Sequence, residues 1–120
     1  MDLNSTFRDD VEQLMSKVPV SRVVTYGDLA GLAGHANAAR IVGGIAHFGN
    51  PELPWHRLVN RFGRLAKAYP GGITVQAQLL ESEGITVTDF IVDNFESIRT
   101  PPRLTFYQPF LRIPKLKLRI

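Results

Sequence analysis

The chain has 120 residues, 44% of them apolar, enough for one domain around one small core and too few for two. It has no cysteine, three scattered histidines and no apolar run near the ~18 residues of a membrane span, which excludes disulfides, thiolate metal sites and a transmembrane helix. The formal charge of +3 is unevenly placed: residues 1–102 carry nine Lys+Arg against eleven Asp+Glu, whereas residues 103–120 carry five basic residues and no acidic one.

Taken in chain order, Phe7, Val11, Leu14 and Val18 recur at helical spacing after a candidate cap at Asn4 or Ser5, predicting an amphipathic helix over residues 5–17 that Pro19 ends. Thr25 and Asp28 have capping-box spacing for a short second helix, which Gly34 stops. Asn37 is the expected cap of a third helix running to His47 or Phe48, with Ile41, Ile45 and Phe48 as its core stripe and Arg40, Gly43, Gly44 and His47 on the other face. Two glycines inside a helix cost roughly 1 kcal/mol each relative to alanine, so this face implies a close approach to the backbone, as by a DNA strand. Residues 55–59 and 64–66 flank Asn60-Arg61-Phe62-Gly63, which reads as a hairpin turn and hence a wing. A fourth helix over residues 74–83 is expected to bury Leu79 and Leu80 and to end at Gly84. Residues 85–87 read as extended, and residues 89–99 as a short turn or helix.

The most informative stretch is Asn50-Pro51-Glu52-Leu53-Pro54-Trp55-His56-Arg57-Leu58-Val59. It resembles the active-site motif of the O6-alkylguanine-DNA alkyltransferases, Pro-Cys-His-Arg-Val, with Trp55 standing where the cysteine would be. An indole has no lone pair able to attack an alkyl carbon, and no thiol elsewhere can substitute. The resemblance runs from about Val18 to Glu83. Thr25-Tyr26-Gly27-Asp28-Leu29-Ala30 is similar to the first helix of that family's helix-turn-helix, and Ala38-Ala39-Arg40-Ile41-Val42-Gly43-Gly44 to its DNA-reading helix. Tyr69-Pro70-Gly71-Gly72 and Leu79-Leu80-Glu81-Ser82-Glu83-Gly84 are similar to the lid of the pocket and the helix behind it. The tryptophan points to the alkyltransferase-like branch, which binds alkylated guanine without repairing it and passes the lesion to nucleotide excision repair.

The resemblance assigns DNA binding to Tyr26, Ala39, Arg40, Gly43 and Gly44. Arg40 would be the finger that enters by the minor groove and takes the space of an extruded base, and Tyr26 would press on the phosphate of the target nucleotide. Flipping a nucleotide costs a few kcal/mol, which such contacts must offset. The lesion pocket would be formed by Trp55, Lys67, Tyr69, Pro70, Gly71 and Gly72, with Trp55 acting as a plug, as a wall for the alkylated base, or both. Pro70 has no donor where the transferases commonly carry a serine, so recognition of the lesion oxygen would fall to the amides of Gly71 or Gly72, to Tyr69, or to a cation such as Lys67. His56 and Glu83 match the pair that activates the thiol, and without one they would serve, with Arg57 and Asn50, as support for the pocket.

From Arg22 to Lys67, six basic residues (Arg22, Arg40, Arg57, Arg61, Arg64, Lys67) stand against Asp28 and Glu52. This is either a phosphate-facing surface or an ordinary solvated one. The expectation is therefore a mainly α winged helix-turn-helix domain with a small β-hairpin wing over residues 1–102. The tail 103–120, basic and apolar, is expected to be disordered, to pair as an edge strand, or to lie on DNA or a partner. Expected partners are duplex DNA containing O6-alkylguanine and nucleotide excision repair proteins. The protein would be a soluble monomer without metal or cofactor and without alkyl transfer, nucleoid-associated in the cytoplasm if bacterial and nuclear if eukaryotic. The rival reading is a winged-helix transcription regulator. A reading helix of glycine and alanine with a single arginine argues against it, because direct readout needs several long polar side chains.

Overall fold

In the computed structural model, residues 6–100 are described; the candidate caps Asn4 and Ser5 and the tail from Arg103 lie outside them. The helical periodicity at the start of the chain forms α1 (Arg8–Met15), which buries Val11, Leu14 and Met15. After it come β1 (Val24–Thr25), α2 (Tyr26–Leu32) and α3 (Ala39–Phe48), then a 3-10 turn (Trp55–Arg57) leading into β2 (Leu58–Val59). The chain continues through α4 (Ile73–Ser82), β3 (Val87–Thr88), β4 (Ile91–Val92) and α5 (Phe95–Ile98). Among the described residues the fold is thus mostly helical with two small sheets. No helix among the described residues is long and apolar enough to cross a membrane.

The capping box at α2 forms in full: the Thr25 hydroxyl accepts from the Asp28 amide at 3.0 Å, and the Asp28 carboxylate accepts from the Thr25 amide at 3.1 Å. α3 departs from the sequence expectation at both ends. Its N-cap is Ala38, with no side-chain cap bond, rather than Asn37. Its core residues are Val42 and Ile45, while Ile41 is 39% and Phe48 77% exposed. The face of α3 turned to α1 and α2 carries Val42 and Ile45, which share a core cluster with Trp55, whereas Phe48 is turned outward and meets the His47 ring edge-on. In α4 likewise, Gln76, Ala77 and Leu80 are buried and Leu79 is 39% exposed.

The expected hairpin between residues 55–59 and 64–66 is not built as two paired strands. Its first half is the 3-10 turn followed by β2, and β2 pairs parallel with β1, Val24 opposite Leu58 and Thr25 opposite Val59. The turn at residues 60–63 does close: Asn60 N–H donates to the Arg64 carbonyl at 3.0 Å, and Asn60 Oδ1 accepts from the amides of Phe62 and Arg64. Arg64 then bridges to Ile91. The regular antiparallel hairpin is β3 with β4. Its turn holds Asp89 and Phe90 at φ of 54° and 62°, a left-handed pair usually supplied by Asn-Gly, so no hairpin signal is visible in Asp89-Phe90 itself.

The β1–β2 ladder separates two cores. Side chains alternate across a strand, so Val24 and Leu58 face the cluster built on α1, α2 and α3. Val23 and Val59 face the other cluster, with Leu65, Ala77, Leu80, Ile85 and Val92.

Candidate nucleic-acid interface and base pocket

Where the first core reaches the surface it leaves a cavity of about 500 Å³. One wall comes from the start of α2 and the outer side of α3: Tyr26, Ala39, Arg40, Gly43, Ala46 and His47. The facing wall is Trp55 and Leu58 together with Ala66, Ala68, Tyr69 and Pro70. The structure therefore brings Tyr26, Ala39, Arg40 and Gly43 to the same cavity as Trp55, Tyr69 and Pro70. Gly44 is exposed on α3, with open space where a side chain would project. Lys67 is exposed and is not among the lining residues.

Gly71 and Gly72 lie beside the cavity rather than on its lining. Their φ values of 88° and 105° let the chain turn from the lid into α4, with Gly72 as its N-cap. The Gly72 amide is already engaged, donating to the Tyr69 carbonyl at 2.7 Å.

The cavity wall is largely hydrocarbon, with phenols set into it. Burial raises the pKa of both Tyr26 and Tyr69, so their hydroxyls stay protonated and can donate. Trp55 is only 7% exposed, and its indole N–H donates to the Asn50 carbonyl at 2.7 Å. Its single polar atom being used, Trp55 offers the cavity only apolar surface. Arg40, near the start of α3 and exposed, stands at the rim.

Behind Trp55, Glu83 gathers its neighbours. His56 Nε2 is 2.6 Å from Glu83 Oε2, Arg57 grips both carboxylate oxygens at 2.8 to 3.2 Å, and the Ser21 amide donates to Oε1 at 3.2 Å. Arg57 Nη1 also donates to the Val18 carbonyl at 2.8 Å, linking this hub to the end of α1. Burial pushes the Glu83 carboxyl up, but the hydrogen bonds from Arg57, His56 and Ser21 and the charge on His56 outweigh it and hold the pKa at about 2, against an ordinary 4.5. Asn50 anchors the other end of the loop: its amide donates to Glu12 Oε2 at 3.0 Å and its Oδ1 accepts from the Glu52 amide at 2.9 Å.

Several supporting residues carry no role in the sequence reading. Gln76, fully buried, accepts from the Ala66 amide at 2.8 Å and donates to the carbonyls of His56 and Leu58 at 3.1 and 3.0 Å. One side chain thus ties the lid to the Trp55 loop; its signal was a polar residue on the apolar stripe Ile73, Gln76, Ala77, Leu80. Gly49 is closely packed: a Cβ there would clash with the Ile45 carbonyl and come within 2.7 Å of Glu12 Oε2 and 3.2 Å of the Trp55 ring. Glu12 and Ser21 show no pattern in sequence, because their partners are distant in the chain.

A family model for the DNA-binding domain of 6-O-methylguanine DNA methyltransferase matches residues 6–85. The chain belongs to that family. Within the methyltransferase family it falls with the alkyltransferase-like proteins. The DNA base-flipping protein of Escherichia coli is 42% identical over 91 residues, covering 73% of this chain and 69% of that protein. Alkyltransferase-like protein 1 of Schizosaccharomyces pombe is 33% identical over 84 residues, covering 68% of this chain and 78% of that protein. The crystal structure of S. pombe Atl1 in complex with damaged DNA containing O6-carboxymethylguanine superimposes with a TM-score of 0.72 at 29% identity, over 85% of this chain and 100% of that one. In this chain the motif Pro54-Trp55-His56-Arg57 has no cysteine, and Trp55 occupies the place.

Proposed function

We propose that this protein recognises O6-alkylguanine in duplex DNA by flipping the modified base into the cavity, and that it does so without transferring the alkyl group. The architecture is then a winged helix-turn-helix: α3 lies in the minor groove, the small exposed face of Gly43 and Gly44 meets the strand, and Arg40 fills the gap left by the extruded base. The flipped base packs among Tyr26, Tyr69 and Trp55, whose apolar surface and phenol donors suit an alkylated purine edge.

The observation that carries this reading is the placement of Trp55. It is buried in the cavity wall beside an intact His56–Glu83 pair, so a pocket and its hydrogen-bonded support stand together where a nucleophile is missing. The base-flipping and alkyltransferase-like relatives support it. The bound lesion, left unrepaired, is handed to nucleotide excision repair proteins by a monomer on the bacterial nucleoid or in a eukaryotic nucleus. A sequence-reading regulator fits poorly, because α3 exposes Ile41, Gly44 and Phe48 and offers only Arg40 and His47 as exposed polar side chains.

The test is competitive binding between matched duplexes with and without one O6-methylguanine. Tighter binding of the modified duplex, with the methyl group still on the DNA by mass spectrometry, is the expected result. Equal affinity overturns damage recognition, and methyl loss from the DNA overturns the non-catalytic assignment.

A further inference from the structure

The stretch from Val87 to Thr100 lies beyond residues 6–85 that the family model matches, yet its backbone bonds to segments that run into both walls of the cavity. On one side, the Val23 amide donates to the Ile98 carbonyl at 3.1 Å and the Thr100 amide to the Val23 carbonyl at 2.9 Å, making a parallel bridge between Val23 and Arg99. On the other, the Leu65 amide donates to the Phe90 carbonyl and the Val92 amide to the Gly63 carbonyl, each at 2.9 Å. Leu65 directly precedes Ala66, which lines the cavity.

The bridge delivers Arg99 to the start of α2. Arg99 Nη2 lies 2.6 Å from Asp28 Oδ1 and Nε 3.1 Å from Oδ2. The same Oδ2 accepts the Thr25 amide, so the carboxylate that closes the capping box is gripped from the far end of the described chain. Tyr26 sits between Thr25 and Asp28 and lines the cavity. A lone Asp side chain at this position can rotate, whereas a two-pronged guanidinium contact fixes both its torsions. The Asp28 side chain is only 9% exposed, which limits screening of the pair.

We propose that Arg99 is a positioning residue for Tyr26: through Asp28 it sets the first turn of α2 at the angle at which the Tyr26 ring closes the cavity, so that the strap of residues 87–100 controls discrimination of the lesion. This rests on the reading of the cavity as the base pocket.

The experiment compares wild type, Arg99→Ala, Arg99→Lys, Tyr26→Ala and the double variant Arg99→Ala/Tyr26→Ala. Affinities are measured for duplexes with and without O6-methylguanine, alongside thermal unfolding. Arg99→Ala is expected to lower the preference for the modified duplex about tenfold, Arg99→Lys, which keeps the charge but not the two-pronged contact, to restore only part of it, and the double variant to lose no more than Tyr26→Ala alone. A lesion-independent readout is the ¹⁹F resonance of Tyr26 in protein labelled with 3-fluorotyrosine, assigned by Tyr26→Phe. It should shift or broaden in Arg99→Ala and recover only in part in Arg99→Lys. An unchanged resonance, or losses that add in the double variant, overturns the positioning role. Absence of any lesion preference in wild type, with the resonance still responding to Arg99, overturns the base-pocket reading alone.

Discussion

Trp55 and Asn50 close the loop between them on itself: the indole N–H donates to the Asn50 carbonyl at 2.7 Å, and the Asn50 amide is in turn held by Glu12. The residue that replaces a nucleophile is therefore also the pin of the loop that presents it.

Restoring a thiol should not restore a transferase. Trp55→Cys removes that pin and opens a void in a site only 7% exposed, at a cost of roughly 3 to 5 kcal/mol by analogy with large-to-small core changes. Covalent transfer needs the sulfur at near-attack distance, and a misplacement of ~1 Å can cost about a hundredfold in rate. Incubating this variant with methylated DNA and following intact-protein mass should show no stoichiometric S-alkylation within minutes, although His56 and Glu83 remain paired.

Arg40→Ala should weaken binding to the O6-methylguanine duplex by about 1 to 3 kcal/mol, the scale of the stacking and pairing that a flipped nucleotide forfeits. Stability should change by less than about 0.5 kcal/mol, since the side chain is exposed on α3. Emission from 2-aminopurine placed next to the lesion reports the outcome: full flipping in the variant would show that Arg40 does not fill the gap.

Much of this site was legible because its signals are local. The capping box of α2, the Pro-Trp-His-Arg motif and the glycines of α3 each declare themselves within a few residues. The core face of α3 was not legible because Ile41, Val42, Ile45 and Phe48 allow two overlapping stripes, and which of them turns inward is decided by packing against α1 and α2, which is not local in sequence. The wing was misread for a related reason. Leu58 and Val59 have a buried partner in β1, much earlier in the chain, and parallel pairing leaves no turn signal. Lys67, Gly71 and Gly72 fall next to lining residues in sequence, but Lys67 projects into solvent from a turn and the glycines are consumed in starting α4.

Gln76→Leu tests the polar tie inside the second core. The shape is conserved, but the Ala66 amide and the carbonyls of His56 and Leu58 lose their partner in a buried place. Stranded buried groups cost about 1 to 3 kcal/mol each, less where water can reach, so a loss of roughly 2 to 4 kcal/mol is expected. Urea unfolding measures it; a neutral result would mean that Gln76 is a spacer and nothing more.

Acid should expose the Glu83 hub. Its carboxyl is held at about 2 in the folded chain, below its ordinary 4.5, so its contribution is complete above pH 4.5 and is lost as pH falls from there towards 2. Asp28, lowered despite the opposing effect of burial, adds in the same direction through its bonds to Arg99 and Thr25. The Glu83 contribution is about 2 to 3 kcal/mol from the size of the shift. Urea midpoints across this range should fall more steeply for wild type than for Glu83→Gln, and parallel curves would show that another carboxylate governs acid unfolding.

The parallel pairing of Val24 with Leu58 joins segments separated by all of α2 and α3, and the bridge from Val23 to Arg99 joins segments farther apart still. Closing long loops is entropically costly, so contacts of this kind form late in folding and fray early. The helices α1, α2 and α3 pack on one another through contacts closer in the chain, so the far wall of the cavity can open by partial unfolding while that helical third of the chain stays protected from exchange. In a cell, the total amount of this protein would then overstate the amount able to hold a base, and the fraction of molecules with both walls closed, rather than their number, would set how many lesions are found.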